Sequence, residues 1–244
     1  MQFDKQISHP IHPQHKLKLE YTETPFNCNG CKEAGIGFQY KCLQCEFHMH
    51  KSCALARSTI YRSFYKKCEF QFHHAPPGPA LRICDACGKN VLGFVYNCRS
   101  CGFDLHPCCA NLPQVLDDGE QNLYLCYKLS SPCHHCGGKG RGWSYRSQCK
   151  TYNLHVSCVK ELLVESWHAI YLNVDKNKVR EMQTRIPSLK GTLGNNHAGE
   201  RSGGKGNIRK CCQIAGGAVS AIVSAILGDP TPIIAAVVGG FMSK

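Results

Sequence analysis

The sequence predicts a tandem of small metal-stabilised α+β modules, each with short β-strands and one short helix, followed by a flexible linker and an apolar helical tail. Three observations carry that expectation. The chain has 244 residues with nineteen Cys and thirteen His. A Cys-x-x-Cys pair, eighteen intervening residues and a His-x-x-Cys pair occur three times without a gap: Cys28, Cys31, His50, Cys53; Cys84, Cys87, His106, Cys109; Cys133, Cys136, His155, Cys158. Between these elements Gly37-Phe38-Gln39-Tyr40, Gly93-Phe94-Val95-Tyr96 and Gly142-Trp143-Ser144-Tyr145 share one offset from the first pair, so a whole segment repeats.

Segments of this size bury too little apolar surface to fold well unaided and commonly recruit disulfides or metal. The start, Met1-Gln2-Phe3-Asp4-Lys5-Gln6, lacks the apolar run of a secretory signal. We therefore expect an intracellular, reducing compartment, cytoplasmic or nuclear, in which Cys pairs hold metal more often than they form disulfides. The formal charge of +12 falls to about +9 once three Cys3His sites each bind a dication through three thiolates. That basic balance suits acidic partners without choosing among them.

Taken in order, Lys16-Leu17-Lys18-Leu19-Glu20-Tyr21 alternates with period two and reads as a strand. The same device precedes the second repeat, Cys68-Glu69-Phe70-Gln71-Phe72, and the third, Asn122-Leu123-Tyr124-Leu125. Pro76-Pro77-Gly78-Pro79 and Asp117-Asp118-Gly119 are turn or linker signals. Val159 to Trp167 reads as a short helix closing the third module. These marks divide the chain into modules at 9–62, 63–115 and 119–172, a basic Gly-containing linker at 173–210 and an apolar tail at 211–244. In the tail Gly216, Ser220, Ser224 and Gly228 recur every four residues, a spacing that lets helices pack closely. Asp229-Pro230 interrupts it at the short end of a membrane-spanning length. The tail is thus a candidate for docking on the modules or on a membrane surface, with Cys211 and Cys212 as candidate acylation sites.

Repeats one and two contain a further pair, Cys42 and Cys45, Cys98 and Cys101. A sequential ribbon would put both Cys pairs on one metal; a cross-brace joins the first pair to the His-x-x-Cys element and leaves the middle pair to a second metal. Repeat three decides between them. Ser147 and Lys150 occupy its middle-pair positions and Cys149 is displaced by one, yet its outer pair and His-x-x-Cys are intact. Only a cross-braced site survives that loss. The second site then needs ligands from outside the core: His15 before the first strand, Cys68 at the equivalent place before the second, with Gln121 there in repeat three. The expected sets are His15, Cys42, Cys45 and Cys68, Cys98, Cys101. His12 or His9 is the candidate to complete the first, and His73, His74 or Asp118 the second. The expected cofactor is zinc, about five ions per chain, structural because a closed Cys3His set leaves no position for substrate water. Phe38, Phe94 and Trp143, with Tyr40, Tyr96 and Tyr145, are expected in the small cores. Cys108, beside the ligand Cys109, is expected to face away from the metal.

The order His, Cys-x-x-Cys, Cys-x-x-Cys, His-x-x-Cys resembles the C1-type zinc finger and more closely the divergent C1 (DC1) family of plant cysteine/histidine-rich proteins. His9-Pro10-Ile11-His12-Pro13, Cys101-Gly102-Phe103-Asp104-Leu105-His106-Pro107-Cys108-Cys109 and Trp143-Ser144-Tyr145 carry that resemblance. It covers residues 9–172 and implies two interleaved zincs per complete module, with the third module degenerate. Arg62 and Asp118 stand where the family has an eighth ligand. Lys32 to Lys41 and Gly88 to Asn97 are shorter than the corresponding loop of lipid-binding C1 fingers and lack its Gln-Gly, so diacylglycerol is not an expected ligand. The resemblance implies a non-enzymatic, protein-binding role in plant signalling or stress and defence responses. Nucleic-acid binding through the basic segments and thiol-disulfide chemistry through Cys-x-x-Cys are the alternatives. No Gly-rich phosphate loop, paired carboxylate or nucleophile–base arrangement argues for an enzyme.

Overall fold

The structure of the chain, a computed structural model, describes residues 4–117, 122–129, 131–148, 152–161 and 221–226. The expectations for Asp118, Gln121, Cys149, Lys150, the 173–210 linker and most of the 211–244 tail lie outside these residues. Residues 221–226 are helical, and no helix among the described residues is long and apolar enough to cross a membrane.

Three four-stranded antiparallel meanders make up the described chain. The first is β1 (Gln6–His9), β2 (His12–Asn27), β3 (Ala34–Cys42) and β4 (His48–His50). The helix α1 (Lys51–Ala54) follows. The second is β5 (Thr59–Tyr61), β6 (Glu69–His73), β7 (Val95–Asn97) and β8 (Asp104–Leu105), followed by α2 (Pro107–Ala110). The third is β9 (Val115–Asp117), β10 (Asn122–Lys128), β11 (Arg141–Ser147) and β12 (Asn153–His155), with residues 156–161 helical after it.

The alternating segments become the second strand of each sheet, because one row of side chains can face a core while the other stays wet. Leu17, Phe70, Leu123 and Leu125 supply the buried row. Each sheet also has an edge strand ahead of it. β5 pairs with β6 (Ile60 opposite Phe70) and β9 with β10 (Leu116 opposite Leu123), so the second and third sheets begin at Thr59 and Val115, ahead of the module starts at 63 and 119 read from the sequence. A strand of three or four residues shows too little alternation to be read from sequence.

One tyrosine ties each meander together. Tyr40, Tyr96 and Tyr145 are buried in the third strand, and each hydroxyl donates to a carbonyl just before the edge strand: Asp4 at 2.9 Å, Arg57 at 2.9 Å and Pro113 at 2.8 Å. The preceding aromatic has a different surrounding in each copy. Trp143 is fully buried, whereas Phe38 is 37% exposed, edge-on to Tyr21 and beneath the Lys51 ammonium; it is a surface residue, contrary to the expectation of a core one. Phe94 is buried in the core of the neighbouring first module, with Leu17, Tyr40, Met49 and Cys53. There its backbone N–H donates to the Gly30 carbonyl at 3.0 Å. A Cβ on Gly93 would lie 2.1 Å from that oxygen, so glycine is what allows the two backbones to meet. Residues 4–112 accordingly form one compact unit, and a second begins at Pro113.

Candidate metal centres

Each site starts from a tight turn at the first Cys pair. The Cys28 N–H donates to Glu33 O at 3.0 Å and Lys32 N–H returns to Cys28 O at 2.9 Å. Cys84 with Lys89 and Gly88, and Cys133 with Gly138 and Gly137, repeat the pattern. The fifth residue of the turn has positive φ: Gly88 and Gly137 at 69°, Lys32 at 66°. The residue after the first Cys clamps the turn to the strand carrying the His. Asn29 Oδ1, Asp85 Oδ2 and His134 Nδ1 accept from the backbone N–H of His48, Asp104 and Asn153 at 2.7, 2.7 and 3.0 Å. Burial raises the Asp85 carboxyl above its ordinary range, and the amide of Asp104 opposes that shift. The His then caps a short helix with extended φ/ψ, at −57°/147° for His50 and −58°/146° for His106. Three residues on, Cys53 and Cys109 return to the same site.

The result is three groups whose donor atoms lie within 4.8 Å of one another: Cys28, Cys31, His50, Cys53; Cys84, Cys87, His106, Cys109; and Cys133, Cys136, His155, Cys158. Nδ1 of each His faces sulfur, 3.3 Å from Cys31, 3.5 Å from Cys87, and 3.5 and 3.7 Å from Cys136 and Cys158. Tetrahedral zinc, with bonds of about 2.3 Å to sulfur and 2.0 Å to nitrogen, needs ligand–ligand edges of about 3.5–3.8 Å, so the donor sets fit. Outer contacts orient the rings. His50 Nε2 donates to Ala34 O at 3.2 Å and His106 Nε2 to Asn90 O at 3.1 Å. The His155 Nε2 atom is buried without a hydrogen-bond partner.

The thiols share charge unevenly before a metal enters. Hydrogen bonds from Cys31 and Cys53 hold the Cys28 thiol far below its ordinary range, while Cys53 is raised, first by burial. A hydrogen bond from Cys158 brings Cys133 down to about 3, and the same bond raises Cys158. Burial opposes a charged His106, yet hydrogen bonds and attraction from Cys84 and Cys87 push it up to about 11. A dication removes these protons and equalises the ligands.

The middle pairs gather separately, so the wiring is cross-braced. Cys42, Cys45 and His15 are joined by His12. Cys45 and Cys42 lie 3.3 and 3.7 Å from His15 Nδ1. The His12 ring stacks on Phe47 at 4.4 Å, and its Nε2 is buried without a hydrogen-bond partner, as a nitrogen reserved for metal would be. His12 is thus the fourth donor that alternation in the sequence could not choose. His9 instead stacks against Phe94, and Arg62 bonds Leu112 O. The second group is Cys68, Cys98 and Cys101. Burial leads in raising the Cys68 thiol to about 12; at Cys98 burial acts upward, but Ser100 and the Cys101 amide bring it to about 7. Among the described residues no fourth donor joins them. Tyr65 stands at the offset of His12, packed on Phe70 and Phe103, and neither His73 nor His74 is in the group.

The third sheet replaces its middle site with a hydrogen bond. Cys42 and Cys98 each donate their N–H to Phe47 O and Phe103 O at 2.9 Å, and Ser147 does the same to Tyr152 O at 3.0 Å. The Ser147 hydroxyl then accepts from Tyr152 N–H at 3.1 Å. Cys108 points away from the second module's site, as expected of the neighbour of Cys109. It faces the first module's site: its sulfur is 3.2 Å from Ser52 Oγ, and hydrogen bonds with Cys31 and Cys53 hold its thiol well below the usual range. Packing between modules brings it there, a relation that spacing along the chain does not contain.

Five groups of cysteine and histidine, with four donors in four of them, define a cysteine/histidine-rich zinc-binding protein with about five zinc sites per chain. Residues 10–54, the first module, match the model of the C1 domain family. A 55-residue segment, 22% of this chain, is 34% identical to probable nucleoredoxin 1 of Arabidopsis thaliana and covers 9% of that protein. The match therefore spans about a tenth of that relative's length. No solved structure matches the chain.

Proposed function

We propose that the chain is a tandem of three C1-type zinc fingers, the third with a single site, acting without catalysis as a protein-interaction module in plant intracellular signalling or stress and defence responses. One observation carries this reading: the three Cys3His groups are closed, and a closed tetrahedral set leaves no position at which zinc could activate water. Metal serves here as a substitute for core. The surface offered to partners includes Phe38, exposed beside Tyr21 and Lys51. The likeness of one segment to a plant protein supports the plant setting. The 211–244 tail would localise or oligomerise the protein, and detergent-dependent rather than salt-dependent release from membranes would test that role.

The test is zinc content by mass spectrometry, followed by affinity capture of partners with and without residues 173–244. About five zincs and a reproducible set of captured proteins are expected. Zinc absent from the purified chain, or no capture by either form, would reject the reading. A thiol-disulfide role is the second reading, favoured by the name of the similar plant protein and by the 2.7 Å approach of Cys68 and Cys101. Many titratable thiols in the native, zinc-loaded chain would support it.

A further inference from the structure

The second module lends the first a fourth sulfur. The His-x-x-Cys helices α1 and α2 pack on one another, bringing Cys108 of α2 to 3.2 Å from Ser52 of α1. Ser52 immediately precedes the ligand Cys53, and the Cys108 side chain packs against the cluster containing Cys28, Cys31 and Cys53. Its sulfur interacts with Cys31, Cys53 and His50, three of that site's four ligands. Position 108 is equivalent to Ser52 in the first repeat and Ser157 in the third. A hydroxyl therefore satisfies the fold at this place, and a thiol is chemically surplus to it. Cys108 is the partly exposed residue of this cluster, while Cys28, Cys31 and Cys53 are buried.

We infer that Cys108 is a peroxide-sensitive thiol that, once oxidised, takes Cys31 out of the first zinc site as a disulfide and couples oxidation to zinc release. The inference rests on the zinc-binding reading above. The Cys108 sulfur attacks hydrogen peroxide, forming an S–O bond and breaking the O–O bond, with hydroxide leaving. The Cys31 sulfur then turns its electron pair from zinc to the Cys108 sulfur. An S–S bond forms, the S–OH bond breaks and a second hydroxide departs. Two thiols lose two electrons, and one peroxide becomes two waters after proton uptake. Zinc is left on Cys28, His50 and Cys53, a three-ligand set that holds it less firmly. The product also links the first two modules covalently.

The experiment treats the zinc-loaded full chain, Cys108→Ser and Cys126→Ser with hydrogen peroxide. Zinc release is followed with a chromophoric chelator, and disulfides are mapped by peptide mass spectrometry. Serine is the native residue at both equivalent positions, so Cys108→Ser should fold, which its starting zinc content verifies. Cys126 is a partly exposed cysteine outside every metal group and controls for thiol number. The native chain and Cys126→Ser should lose one zinc equivalent several-fold faster than Cys108→Ser and yield a Cys31–Cys108 cross-link, with thiol reductant and zinc restoring the starting state. Equal release from Cys108→Ser, or disulfides confined to the Cys-x-x-Cys pairs, would overturn the inference and leave the zinc-binding reading intact. A chain purified without zinc would overturn both.

Discussion

Lys32 is the non-glycine residue that the described backbone holds at positive φ, 66°, in the turn where Gly88 and Gly137 stand in the other repeats. A side chain there costs about 1 kcal/mol relative to glycine, so Lys32→Gly should raise the melting midpoint slightly with zinc content unchanged. The buried tyrosines give the opposite sign. Removing the hydroxyl of Tyr40, Tyr96 or Tyr145 leaves a carbonyl without its donor, and each Tyr→Phe change should cost about 1 kcal/mol in denaturant unfolding. At this scale the zinc ligands were the most legible part of the sequence, because their spacing is dictated by coordination geometry. The choice of His12 over His9 was not legible: both precede the alternating run at 16–21, and only the turn of the backbone between His9, which ends β1, and His12, which opens β2, sets one beside Cys42 and Cys45. The same limit explains Phe38, Phe94 and Trp143. One position in the repeat becomes surface, inter-module core and intra-module core according to what packs above it.

At the scale of elements, each meander is a short sheet whose ends are tied by metal on one side and by a tyrosine hydroxyl on the other. The alternating strands were legible because a period-two run of four to six residues recurs ahead of each Cys-x-x-Cys pair. The leading edge strands were not, since they consist of three or four residues whose role depends on pairing. Phe94 links two elements that the sequence separates. Phe94→Ala should destabilise by about 3–5 kcal/mol, as for other large buried aromatics, and should loosen the first sheet as well as the second. Hydrogen exchange of residues 34–42 reads that effect; protection there unchanged from the native chain would mean that the first core closes without Phe94. Gly93→Ala should act likewise through its collision with Gly30 O. In the third site no carbonyl among the described residues orients His155 Nε2, and Cys136 is exposed. Under limiting chelator Cys133, Cys136 and Cys158 should therefore be alkylated before the first and second modules' Cys3His ligands.

Across the whole molecule, coordination replaces the apolar interior that segments of this length cannot assemble. That replacement makes the protein sensitive to acid. Zinc must displace protons from thiols and from His106, which the thiolates of Cys84 and Cys87 push up to about 11 despite its burial. Zinc affinity should therefore rise with pH and fall on acidification through the neutral range, as competition titrations at two pH values would show. Repetition made the array legible from residue types alone; the packing of the first two modules was not, because it depends on Gly93 meeting Gly30 and Cys108 meeting Ser52 across different repeats. The most direct measurement is thermal unfolding of the full chain before and after zinc is stripped by a strong chelator under reducing conditions. The account predicts a cooperative transition with zinc and none without it, restored when zinc is returned. A stripped chain that melts as sharply, and at the same midpoint, as the zinc-loaded one would contradict it.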